Sequence, residues 1–114
     1  MINNATETFI KNADVEWEQV NELVKRKIMS YDENLMLVKV EFQKGGIGPI
    51  HDHFHSQTTY VESGSFDVTI DGETKTLGAG DVFYIPPHAP HGAVCTETGV
   101  LLDFFSPMRK DFLN

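Results

Sequence analysis

The chain has 114 residues, 40% of them apolar and 11% aromatic, which is enough for one domain with its own core. Nine basic against seventeen acidic residues give a net charge of −8. That balance argues against nucleic acid or an anionic membrane as the partner, since both demand a basic face. A small anionic ligand remains compatible if some local positive charge draws it in. Cys95 is the only cysteine, so no disulfide forms within the chain, and a lone thiol fits a reducing compartment. The N-terminus has no basic stretch ahead of an apolar run, and no apolar run approaches the roughly 20 residues that span a bilayer. The chain reads as cytoplasmic.

Residues 1–30 are polar, with Val15, Trp17, Val20, Leu23, Val24 and Ile28 at mixed spacing. They fit either a short helix over Glu16–Arg26 or an arm of strands. From Asn34 onward the pattern is β. Asn34–Phe42 is rich in Leu, Val and Phe. Phe66, Val68 and Ile70 alternate with Ser65, Asp67 and Thr69, the period-2 signature of a half-buried strand. Asp71-Gly72 turns that strand into Glu73–Leu77 as a hairpin. Gly78–Asp81 is a second turn, leading to the strand Val82–Ile85. Pro86, Pro87 and Pro90 stiffen a loop, and Gly92–Cys95 and Val100–Phe105 read as two more strands. Short strands with Gly and Pro punctuation predict an all-β sandwich or barrel. The expected organisation is one domain: residues 1–33 as an arm packing on a barrel formed by residues 34–114.

All five histidines fall in two clusters, His51, His53 and His55, then His88 and His91, with Gln57 close behind the first. In extended chain, residues i and i+2 project to one face, so His51 and His53 can present two imidazoles to one point. A third imidazole and an amide oxygen from other strands would complete a nitrogen and oxygen site for a divalent metal. Nickel, zinc, manganese and iron all suit such ligands. His55 shares the parity of His51 and His53. A bend at Phe54–Ser56 would turn it to solvent or set it behind the ligands. His88, among prolines, is expected at the rim.

In the C-terminal segment, Leu101, Asp103 and Phe105 share one strand face, with Leu102 and Phe104 on the other. Both faces are largely apolar, so the strand is expected to be covered on both sides. A carboxylate there is costly unless paired or functional. Asp103 could be a general acid/base, Phe105 a platform for a sugar ring, and Arg109 a fork for a carboxylate. An Asp103–Arg109 ion pair closing the barrel end is the structural alternative.

The spacing around the histidines is wider than one motif. Gly45 precedes His51 by five intervening residues; His53, Gln57 and Gly64 follow. Gly80, Pro86 and His91 repeat a similar rhythm. This resembles the two motifs of the cupin superfamily, over about Asn34 to Ser106. The resemblance implies a small jelly-roll-like β-barrel (a double-stranded β-helix), a metal in its mouth and frequent dimers. Gln57 stands where cupins usually carry Glu, His88 where they carry Gly, and Cys95 where they carry Asn. A neutral amide in place of a carboxylate leaves a divalent ion its full charge. Such a site attracts anions and acts as a stronger Lewis acid, and it suits an oxygenase's trivalent iron less well.

Gly48–Val61 and Leu101–Leu113 further resemble the pectin-degradation cupins, which linearise 4,5-unsaturated monouronates from pectin and alginate breakdown. That resemblance implies metal ligation by His51, His53, Gln57 and His91, and catalysis by Asp103, Phe105 and Arg109. It implies a small anionic sugar as substrate. The competing readings are a small metal-dependent dioxygenase and a noncatalytic sugar- or metabolite-binding cupin. Apolar positions in the strands of the N-terminal half exceed what one small barrel needs, so a homodimer is expected.

Overall fold

A computed structural model describes residues 4–113. The expected chain ends, residues 1–3 and 114, lie outside the described residues. Eight strands carry the fold: β1 Glu18–Asn21, β2 Val24–Asp32, β3 Leu35–Phe42, β4 Ile47–His51, β5 Ser56–Ile70, β6 Glu73–Gly78, β7 Val82–Ile85 and β8 His91–Ser106. Two single 3-10 turns, Asn12–Asp14 and Lys110–Phe112, flank them.

The strands form one antiparallel sheet that rolls on itself in the order β1-β2-β3-β8-β5-β6, with β4 added to β8 and β7 to β5. The two longest strands make the roll possible. The later half of β8 pairs with β3 and with the start of β5, while its first residues pair with β4 and the end of β5. Both strands therefore pass from one half of the roll to the other. They bend where their mutual register shifts, between Val61 and Phe66 on β5. Gly64 sits at that bend with φ +81, and a Cβ there would meet Glu97 O at 2.5 Å and Thr98 O at 2.7 Å. Only glycine allows so close a crossing. The sequence suggested two strands for Gly92–Cys95 and Val100–Phe105. They are one strand, because the bulge bends the ladder without breaking it.

Side-chain alternation fills the interior. Val38, Val40 and Phe42 of β3, Val61, Phe66 and Val68 of β5, and Leu101 and Phe105 of β8 are buried together. Phe66 meets Phe42 edge to face at 5.2 Å, an arrangement favoured by the ring quadrupoles. Residues 16–26 resolve the sequence ambiguity toward strand. β2 pairs along β3 from Val24↔Phe42 to Asp32↔Leu35, and β1 adds an edge beside it. The segment before β1 lies across β2. Lys27 donates to Asn12 O at 2.7 Å, and Trp17 lies under the Lys25 and Lys27 ammonium groups.

The outer face of the β3-β8-β5-β7 region differs from expectation. Phe104, Tyr60, Tyr84 and Val82 are exposed there, so the C-terminal strand is covered on its inner face only. These side chains adjoin across the ladders, Tyr60 opposite Val82, and Thr58 opposite both Tyr84 and Phe104.

Candidate metal and acid–base site

Strand register assembles the histidines. β4 ends at His51 opposite His91, the first residue of β8, with ring centroids 4.4 Å apart. The turn after β4 folds His53 over the pair, 4.8 Å from the His91 ring and 5.6 Å from the His51 ring. One ring nitrogen from each of the three lies within 4.8 Å of the others. They are positioned to bind one metal ion.

The hydrogen bonds fix how the rings face. The Nδ1 atoms of His51 and His91 each lie 2.8 Å from a backbone carbonyl two residues earlier, Pro49 O and Ala89 O. His53 Nδ1 lies 3.1 Å from His55 O. A carbonyl only accepts, so each Nδ1 carries its proton and each Nε2 keeps a free lone pair. His91 Nε2 is buried with no hydrogen-bond partner. Burial lowers the pKa of His53 and of His91, so both rings stay neutral near pH 7, the form that binds metal.

Gln57, buried on the inner face of β5, extends this pattern. Its amide nitrogen donates to Thr59 Oγ1 at 3.0 Å, which turns Oε1 toward His53 Nε2, also 3.0 Å away. With Nδ1 protonated, two lone-pair atoms then face each other. Such a contact is repulsive until a cation sits between them. The orphaned His91 nitrogen and this opposed pair both fit a divalent ion held by His51, His53, His91 and Gln57.

A second set of side chains faces the same cavity. Thr59 pairs with Asp103 across the β5–β8 ladder, and its hydroxyl donates to Asp103 Oδ1 at 2.7 Å. Gln57 Nε2 lies 3.4 Å from the same oxygen. Asp103 is half-buried at the cavity wall, closely surrounded by protein. Desolvation by burial raises its pKa to about 6, against the opposing hydrogen bond from Thr59 and the charge of Arg109. A carboxyl poised there can give and take a proton near neutral pH.

Phe105 lies opposite Gln57 in the ladder, its ring edge-on to His53 at 5.8 Å. Arg109 reaches back from beyond β8, with its guanidinium 5.1 Å from the Phe105 ring centre and 4.3 Å from that of Phe112. It does not pair with Asp103, contrary to the structural alternative. Its Nε and Nη2 donate to the two oxygens of Asp111 at 3.1 and 2.9 Å, and these bonds hold the Asp111 carboxyl below its ordinary range.

His55 is buried, stacked on Phe54 at 4.0 Å and edge-on to Phe105. It lies behind His53 rather than in solvent. His88 is exposed at φ +68 in the proline loop. Thr59 was missed in the sequence, although its parity with Gln57 carried the signal. Arg26, which also lines the cavity, lay in the segment of ambiguous pattern.

A rolled antiparallel sheet with three imidazoles converging near its mouth defines a cupin. The cupin domain family matches residues 38–105. The pectin degradation protein KdgF of Dickeya dadantii (strain 3937) is 46% identical over 99 residues, covering 85% of this chain and 90% of that protein. The structure of KdgF from Halomonas sp. superposes with a TM-score of 0.90 at 40% identity, covering 95% of this chain and all of that one. An RmlC-like cupin from Shewanella frigidimarina gives a TM-score of 0.94 at 44% identity over 96% of this chain and 99% of its own. The chain belongs to the cupin family and, within it, to the family of the pectin degradation protein KdgF.

Proposed function

We propose that the protein opens the ring of 4,5-unsaturated monouronates, giving linear 5-keto-4-deoxyuronate. The observation that carries this reading is Asp103, a carboxyl with a pKa of about 6 in the same cavity as the histidine cluster. The cavity, about 330 Å³, is at the small end of ligand sites and suits a monosaccharide. His51, His53, Gln57 and His91 would hold one divalent ion. Bound there, the ion supplies an uncancelled positive charge for oxygen atoms that become negative during ring opening.

The remaining steps belong to the chain. Asp103 accepts the proton of the C1 hydroxyl as the C1–O5 bond breaks, giving an aldehyde at C1 and an enolate at C5. It then gives a proton to C4, and the enolate becomes a ketone. Thr59 holds the carboxylate in place between these transfers. Phe105 supports the sugar ring, and Arg109 offers positive charge to the substrate carboxylate. Nothing is oxidised, which separates this reading from a dioxygenase. A proton-transfer group is more than a noncatalytic binder needs.

Turnover in D2O tests the reading. The linear product is expected to carry one deuterium at C4. Product formation without that label would remove the proton return to C4.

The same reading makes the protein a cytoplasmic homodimer. The support for pairing is the exposed outer face bearing Phe104, Tyr60, Tyr84 and Val82, an apolar patch of the kind that marks an interface. On strands of the N-terminal half, Val20, Leu35, Ile47 and Ile50 are exposed as well. Light scattering is expected to give twice the monomer mass, and Tyr84→Glu to halve it.

A further inference from the structure

Among the described residues, Arg26 is the one cavity-lining cation that the ring-opening scheme leaves without a task. It projects inward from β2, opposite Val40, which in turn faces Leu101 of β8. Strands lie about 4.8 Å apart, so Arg26 stands roughly 10 Å from β8, one inward row from Asp103. A sugar ring spans such a gap. The guanidinium rests 3.9 Å from the centre of the Phe112 ring, the ring that Arg109 also covers. Two like charges thus share one aromatic ring at the wall of one cavity.

Their hydrogen bonding differs. Arg109 spends two donors on Asp111. Among the described residues, the Arg26 guanidinium has no hydrogen-bond partner. Its Nε is buried and unpartnered, and its Nη2 has only the half-exposed Glu18 carboxylate at 3.6 Å. Exposed ion pairs of that length hold little. A guanidinium with unused donors in a cavity is a site for an acceptor that arrives from outside. Two guanidinium groups on one ring favour an acceptor carrying negative charge.

We infer that Arg26 is a substrate-positioning residue that takes the carboxylate of the uronate, forming with Arg109 a two-armed clamp across Phe112. This rests on the ring-opening reading for the identity of the substrate. The clamp fixes which edge of the sugar faces Asp103, and Arg26 does so from an element outside the family's histidine motifs.

The test compares an acid with its neutral counterpart. Binding of galacturonate and of galactose, both saturated and unreactive, is measured by calorimetry on metal-loaded wild type, Arg26→Met and Arg26→Lys. Wild type is expected to prefer the acid. Arg26→Met is expected to lose at least about tenfold in affinity for the acid, with galactose unaffected. Arg26→Lys, which keeps the charge and loses the fork, is expected to fall between them. Metal content and melting temperature are read for each protein. If Arg26→Met does not fold, Arg26→Lys decides by the same comparison. An acid preference unchanged in a folded variant overturns the clamp. Turnover of unsaturated galacturonate by wild type is scored separately. Active wild type with an unchanged preference sinks the clamp alone. A lost preference with inert wild type sinks the ring-opening reading and leaves the anion site standing. A wild type that neither binds the acid nor turns over overturns both.

Discussion

The two walls of the cavity are built differently. Each histidine is braced by a carbonyl two residues away, Pro49, His55 or Ala89. That wall is local chemistry repeated three times. Asp103 is held by Thr59 and Gln57, 44 and 46 residues distant, and exists only once β5 and β8 are in register. The first wall orients lone pairs, and the second displaces a carboxyl pKa. Gln57 and Thr59 join them, since one amide faces His53 with its oxygen and Thr59 with its nitrogen.

The largest expected effect comes from breaking the histidine wall alone. His91→Ala should lose bound metal, measured by elemental analysis, and with it all detectable turnover. The far-ultraviolet circular dichroism should stay that of the wild type, because the apolar core lies elsewhere. Retained turnover without metal would detach the first wall from the chemistry.

Asp103→Asn breaks the other wall. It keeps the shape and removes the titrating group, so kcat should fall by roughly 10²–10⁴-fold while metal content is unchanged. A kcat near that of the wild type would remove Asp103 from the mechanism.

Thr59→Val sharpens the comparison, because it cuts the link and leaves both walls their own residues. The hydroxyl that positions both the Asp103 carboxylate and the Gln57 amide is lost. A drop of about 10–100-fold in metal affinity is expected, as for other groups that orient ligands, together with a lower kcat. If only one of the two changes, the walls are independent.

Gln57→Glu should keep the metal and raise KM for the anionic substrate several-fold, since one positive charge is cancelled. Steady-state kinetics on metal-saturated protein checks this, and an unchanged or lower KM would contradict it.

The smallest effect is on stability. The folded pKa of Asp103 is raised to about 6, so the folded state holds that proton more tightly than the unfolded chain. The associated stability is full below the ordinary carboxyl value near 4 and is lost as pH rises through about 6. In metal-free protein, Asp103→Asn should therefore melt above wild type at pH 8, by on the order of 5 °C. The gap should close by pH 4. A constant difference across that range would mean the carboxyl is not destabilised by burial.

The same contrast explains what the sequence disclosed. His51 and His53 were legible because a period of two is a local property, and His91 because the spacing of Gly80, Pro86 and His91 resembles a cupin motif. So were the hairpin at Asp71-Gly72 and the strand Val82–Ile85. The pairing of β2 with β3 was not, because polar residues between Trp17 and Ile28 carry no period and only the neighbouring strand decides. β8 looked like two strands because its bend at Thr96–Gly99 has turn-like residues, yet β5 continues beside it. The partner of Arg109 was left open for a related reason. Asp111 lies two residues away beyond the end of the strand, where alternation no longer says which side chains meet. The burial of His55 depends on Phe105, contributed from the far end of the chain.

The central claim is that both walls together open an unsaturated uronate without redox chemistry. It is tested most directly by following metal-loaded protein with unsaturated galacturonate in a cell that records near-ultraviolet absorbance and dissolved oxygen together. The account predicts that the band of the conjugated carboxylate disappears at a rate proportional to enzyme while oxygen stays constant. A band that persists, or one whose loss is matched by oxygen uptake, would contradict it.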